Sequence, residues 1–131
     1  MRALQMMHTI DPKIEIMSRV KDHLPGVKVL GADLLMAIYV RPEKTASGIY
    51  VADVTRKEDI YQGKVGLVLA LGPLAFVEDE THKFGGVVPK VGDWIAVRVG
   101  DTFQLSLGQQ ACRLVQDVNV RAILDAPDTL L

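Results

Sequence analysis

A chain of 131 residues with 15 Lys and Arg against 16 Asp and Glu is the size of one domain and nearly neutral, which argues against nucleic acid as a partner. Its hydrophobic content of 49% is globular in kind, and no apolar run approaches the ~18 residues of a membrane-spanning helix, so no membrane partner is expected. The single cysteine, Cys112, cannot form an intrachain disulfide and fits a reducing compartment.

Residues 1–26 read as an arm followed by a helix. The arm, MRALQMMH, carries apolar Leu4, Met6 and Met7 with nothing to fix their conformation, and its apolar core is too short for a secretory leader. Asp11 offers a side-chain cap, Pro12 suits the first helical turn and Pro25-Gly26 is a stop, which predicts a helix between them. Ile16, Val20 and Leu24 recur every four residues with Met17 at their flank, giving one apolar face. That face packs either on its own domain or, with the arm, on a neighbouring subunit.

From Val27 the periodicity becomes that of strands. Leu34, Met36, Ile38 and Val40 would face one way and Leu35, Ala37 and Tyr39 the other, so residues 34–40 predict a strand buried on both faces and ended by Pro42. A second such strand is predicted where Val65, Leu67, Leu69 and Leu71 alternate with Gly66, Val68 and Ala70, closed by Gly72-Pro73. Residues 75–89 hold Glu78-Asp79-Glu80 and Gly85-Gly86 between Phe76 and Val87, which predicts a hairpin-like excursion with an acidic, mobile tip. Strands are then predicted over 94–99, 103–107, 111–115 and 120–124, divided by Gly100-Asp101, Gly108 and Asp117-Val118-Asn119, with a tail over 127–131. Short strands at near-regular spacing, without a solenoid repeat, predict a mainly β domain over residues 27–126, a small barrel or sandwich.

The connection between the two strongest strands, residues 42–62, is far longer than the ~2–5 residues of a tight turn. It is polar except for Ile49, Tyr50 and Val51, which follow Gly48. Exposed apolar triplets are uncommon without a use, so this reads as a displayed binding loop, the alternative being a short strand folded back on the domain. Little else points to chemistry. His8, His23 and His82 are scattered over arm, helix and acidic tip, Cys112 stands alone in a strand, and there is neither a P-loop nor a GxSxG motif. No metal, cofactor or catalytic residue is expected, and Trp94 reads as core or rim packing.

The order KTASGIYVAD, QGKVGLVLALGP and PKVGDWIAV resembles the GroES co-chaperonin family over roughly residues 33–124. The resemblance implies a small GroES-like β-barrel with a long displayed loop, a roof hairpin at 75–89 and assembly into a ring. In that family a Gly-hydrophobic triplet docks onto a chaperonin, and the C-terminal strand pairs with a neighbour's N-terminal region. Carried across, Gly48, Ile49, Tyr50 and Val51 form the partner-binding loop. Val120, Ala122 and Leu124, with residues 34–40, supply contacts between subunits, joined on the clasping alternative by Leu4, Met6, Met7, Ile16, Val20 and Leu24. Zinc alcohol dehydrogenases also contain a GroES-like domain, but beside a nucleotide-binding domain whose glycine fingerprint is absent here.

Three features depart from the ordinary co-chaperonin: an N-terminal extension of some thirty residues, the bulky Tyr50 inside the triplet, and a short tail after Leu124. GPLAF, an acidic spacer, KFGG and VGDW together look most like the phage-encoded branch of the family. Docking gains ~1.5–3 kcal/mol per large buried side chain while ordering a loop costs ~1–2 kcal/mol per residue, so one loop binds weakly and only several on one assembly bind well. The expectation is a non-enzymatic, oligomer-forming protein of phage type, a capsid-stabilising, decoration or minor head protein of the virion. The alternative is a co-chaperonin that caps a GroEL-type chaperonin. The implied partners are further copies of itself and a phage capsid or head protein, or a chaperonin, and the implied location is the virion or the host bacterial cytoplasm.

Overall fold

In a computed structural model, residues 6–42 and 44–130 are described, without the side chain of Tyr61. Helix α1 (Pro12–Val20) begins where the sequence signals it, with the Lys13 N–H donating to the Asp11 carboxylate at 2.9 Å and Pro12 in the first turn. A 3-10 turn, Leu24–Gly26, follows. Six strands come next: β1 (Asp33–Ile38), β2 (Val65–Leu71), β3 (Trp94–Val97), β4 (Phe103–Leu107), β5 (Gln110–Gln116) and β6 (Val120–Leu124). They form one antiparallel sheet in the order β4-β5-β1-β2-β3-β6, so the domain is mainly β. No ladder joins β4 to β6, which are the two edges.

The all-apolar β1 lies at the centre because it has two faces to bury. Leu34, Met36 and Ile38 join Val68, Ile95, Val97 and Val115 in one cluster, while Leu35, Ala37 and Tyr39 join Val65, Leu67, Trp94 and Cys112 in the other. Leu34, Leu35, Met36, Ile38, Leu67 and Ile95 are all fully buried, and each such side chain contributes ~1.5–3 kcal/mol relative to exposure. Register shifts at Leu35/Met36 and at Ala96/Val97 bend the sheet. Gly66 is required where β2 crosses β1, because a Cβ there would lie 2.2 Å from Met36 Cγ and 2.5 Å from the Ala37 carbonyl oxygen.

Helix α1 closes the second cluster, with Ile16 and Val20 buried against it beside Met6 and with Leu24 packed at its margin. Met6, Ile16 and Val20 are thus buried within the chain itself, and Leu24 is half-buried. The four-residue spacing aims the stripe inward at the chain's own sheet. Met7 is exposed, and Leu4 lies outside the described residues.

Two expectations change. Residues 53–62 of the long connection are a helix, α2 (Asp53–Gln62), so the stretch 42–62 is not one displayed loop. Residues 75–89 contain no strand. Their backbone groups find side chains instead: Asp79 Oδ1 accepts from the N–H groups of Thr81 and His82, Glu78 Oε1 accepts from Phe84 N, and Asp117 Oδ2 accepts from Phe76 N. The bonds from His82 and Thr81 hold the Asp79 carboxyl below its ordinary range.

Candidate functional site

The long connection is built outward from an ion pair at its base. Arg41, just past β1, donates from Nε and Nη2 to the Asp59 carboxylate of α2 at 2.9 and 2.8 Å, and its backbone N–H adds a third bond at 2.9 Å. Asp59 is buried and Arg41 partly so, and the bond to Asp59 raises the guanidinium pKa. Arg56 Nε donates to the Arg41 carbonyl at 3.0 Å, and Gln104 Nε2 of β4 donates to the Ile60 carbonyl at 3.0 Å. These polar ties fasten α2, whose Val54 is exposed and whose sequence carries no apolar stripe.

Residues 44–50 form a small hairpin. Lys44 bridges to Tyr50, the Thr45 N–H donates to the Ile49 carbonyl at 2.8 Å, and the buried Thr45 hydroxyl accepts from Ile49 N at 3.1 Å. Gly48 has φ of +89°, a conformation that suits glycine. The N-terminal arm pairs with the outer side of this hairpin: Met6 bridges to Thr45, and Met7 N–H donates to the Lys44 carbonyl at 2.9 Å. The arm is held in turn by Asp128, which accepts from Met6 N at 2.9 Å, and by a 2.7 Å hydrogen bond between His8 Nε2 and the Tyr39 hydroxyl.

The expected docking triplet is therefore divided. Ile49 and Tyr50 stand 63% and 68% exposed at the tip, with the Lys44 ammonium 4.6 Å above the Tyr50 ring. Val51 turns back and packs against the core, as the alternative reading of that segment had it in part. Among the residues assigned to subunit contacts, Val120, Ala122 and Leu124 lie on β6, whose one ladder runs to β3. Ala122 is exposed, and Val120 and Leu124 are half-buried. Beside β6 runs a groove of about 510 Å³ lined by Phe76, Phe84, Val87, Pro89 and Ile123.

Among the described residues no group of three or more His, Cys, Asp or Glu could hold a metal ion, and no helix is long and apolar enough to cross a membrane. Burial pushes the Cys112 thiol up to about 11, so it is protonated near neutrality and a poor nucleophile. Burial, with Asp128 and Asp59 nearby, raises the Tyr39 hydroxyl as well. Sequence reasoning missed the Arg41–Asp59 pair and Thr45 at the crossing of arm and hairpin. Neither follows a local period, though an Arg directly before Pro42 and an Asp inside a polar stretch were both in view. The chain matches no protein-family profile and no curated protein.

Proposed function

We propose that the protein is a non-enzymatic, oligomer-forming GroES-like assembly protein, and that its leading role is that of a structural component of a phage particle. Six antiparallel strands with two register shifts, and an inner face that buries itself largely with its own side chains, support a barrel-type coil of the GroES kind. The observation that carries the structural role is the clasp of the arm on the hairpin, Met6 on Thr45 and Met7 on Lys44. A loop ordered before it binds loses little entropy on docking and releases slowly. That suits a permanent contact better than a cap that must cycle on and off. The open β6 edge supports self-association, since an unpaired edge strand invites another chain.

The exposed Ile49 and Tyr50 favour a second reading, the co-chaperonin, because both present apolar surface at the tip of the hairpin. Two variants separate the readings: the double substitution Ile49→Ser with Tyr50→Ser, and deletion of residues 1–8. For a particle component, deletion of the arm lowers retention on purified particles. For a co-chaperonin, the double substitution abolishes modulation of chaperonin ATPase while the deletion does little. Chaperonin modulation that depends on the tip, with no copies in purified particles, would overturn the structural role.

A further inference from the structure

A groove of about 450 Å³ opens between α1, α2 and the end of β1, and three arginines line it: Arg19, Arg41 and Arg56. Each comes from a different segment, and each is pre-set by the chain itself. Arg19 is held by Glu15 and by Gln110 Oε1 at 2.9 Å, Arg41 by Asp59, and Arg56 by its Nε bond to the Arg41 carbonyl. Among the described residues three guanidinium charges thus meet two carboxylates. Among the described residues none brings a carboxylate to Arg56, so its two terminal nitrogens keep their donors. The apolar side of the groove is supplied by the partly exposed Pro12, Val40, Pro42 and Ile60.

We propose that this groove binds a carboxylate carried on a short apolar stem, with the Arg56 fork as its principal partner. The size is that of small-molecule sites, which are typically ~300–1,000 Å³. A guanidinium offers two parallel N–H donors at the spacing of carboxylate oxygens, and apolar walls weaken the screening of the pair. Among the described residues one guanidinium charge is left uncompensated, which favours a monoanionic carboxylate over a phosphate dianion. The stem lies along Pro42 and Ile60. Because Arg41, Arg56 and His8 all line the groove, an occupant bridges the arm, the base of the hairpin and α2.

The same chemistry could come from a free organic acid or from a Glu or Asp side chain of a partner protein, and one titration distinguishes them. The full chain is followed by two-dimensional NMR, including the arginine Nε–Hε signals, against isovalerate, its neutral amide isovaleramide, inorganic phosphate, and acetyl-Leu-Glu-Leu-amide. Isovalerate is expected to shift the Arg56 signal and the amides of 38–41 and 109–111 saturably, and isovaleramide to shift neither. Tighter binding of the peptide than of isovalerate assigns the carboxylate to a protein partner, and weaker binding assigns it to a free acid. Arg56→Gln is expected to weaken binding roughly ten- to a hundredfold, the loss of a charge-assisted pair, and Arg56→Lys, which keeps the charge but not the fork, by less. Arg56 is partly exposed, so both variants should fold, as their spectra would report. No saturable shift, equal binding of the amide, preference for phosphate, or unchanged binding by a folded Arg56→Gln variant each overturns the proposal.

Discussion

Replacing Asp59 by Ala tests whether α2 is held by its polar base. A ten-residue helix is marginal on its own in water, and α2 has no side-chain N-cap and an exposed Val54, so its order must come from tertiary contacts. The substitution removes the acceptor for Arg41 Nε, Nη2 and backbone N–H at once. Fully buried charge-assisted bonds contribute ~1.5–3 kcal/mol each, but the Arg41 side chain is 26% exposed and recovers water, which brings the net loss to about 2 kcal/mol. Because the sheet core does not include α2, the loss should be local. Hydrogen exchange of the amides of residues 55–62 should speed up about thirtyfold at 2 kcal/mol, while the β1 and β2 amides keep most of their protection. Unchanged α2 protection with a lowered global denaturation midpoint would refute the reasoning, since it would mean the pair braces the sheet rather than the helix.

Three more outcomes are expected. Gly66→Ala should cost ~3 kcal/mol in urea denaturation, because the new methyl meets the Ala37 carbonyl oxygen, a backbone atom that cannot swing away; a loss below ~0.5 kcal/mol would refute it. Stability should fall between pH 9 and 11. There the unfolded Cys112 thiol, with an ordinary pKa of 9.0, loses its proton while the folded thiol, at about 11, retains it. The two-unit gap corresponds to about 3 kcal/mol lost across that window, and Cys112→Ala should remove this part of the slope. Ile49→Ser with Tyr50→Ser should leave the denaturation midpoint within ~0.5 kcal/mol of the parent, because both side chains are mostly in water, and a larger fall would mean that the tip packs on the domain.

The strands were legible because their burial is written at period two. Residues 34–38 alternate between the two clusters as the apolar run predicts, and β2, β4 and β6 begin and end where turn residues signal. Helix α1 was legible from Asp11, Pro12 and its apolar stripe, though the stripe could not say whose surface it would meet. Helix α2 was not, because DVTRKEDIYQ has no apolar period and owes its place to Arg41, outside the helix. The excursion 75–89 misled for the opposite reason. Its glycines and flanking apolar residues carry hairpin signals, but Asp79, Glu78 and Asp117 satisfy the backbone that a ladder would have used. Of the proposed docking surface, the exposure of Ile49 and Tyr50 was foreseeable. The arm's grip on Thr45 joins residues far apart in sequence and leaves no local mark.

The strand order also governs how the chain comes to be folded. One edge of β1 is satisfied early by β2, but the other waits for β5, with Leu35 opposite Leu114. Until residues 110–116 are made, a growing chain displays a strand that is apolar on both faces and open along one side. Such an intermediate is sticky, and closing so distant a pair is slow, on the order of milliseconds to seconds for sheets of this kind. Arrival of β5 is therefore the committing step, and fragments that stop before it should accumulate as aggregates.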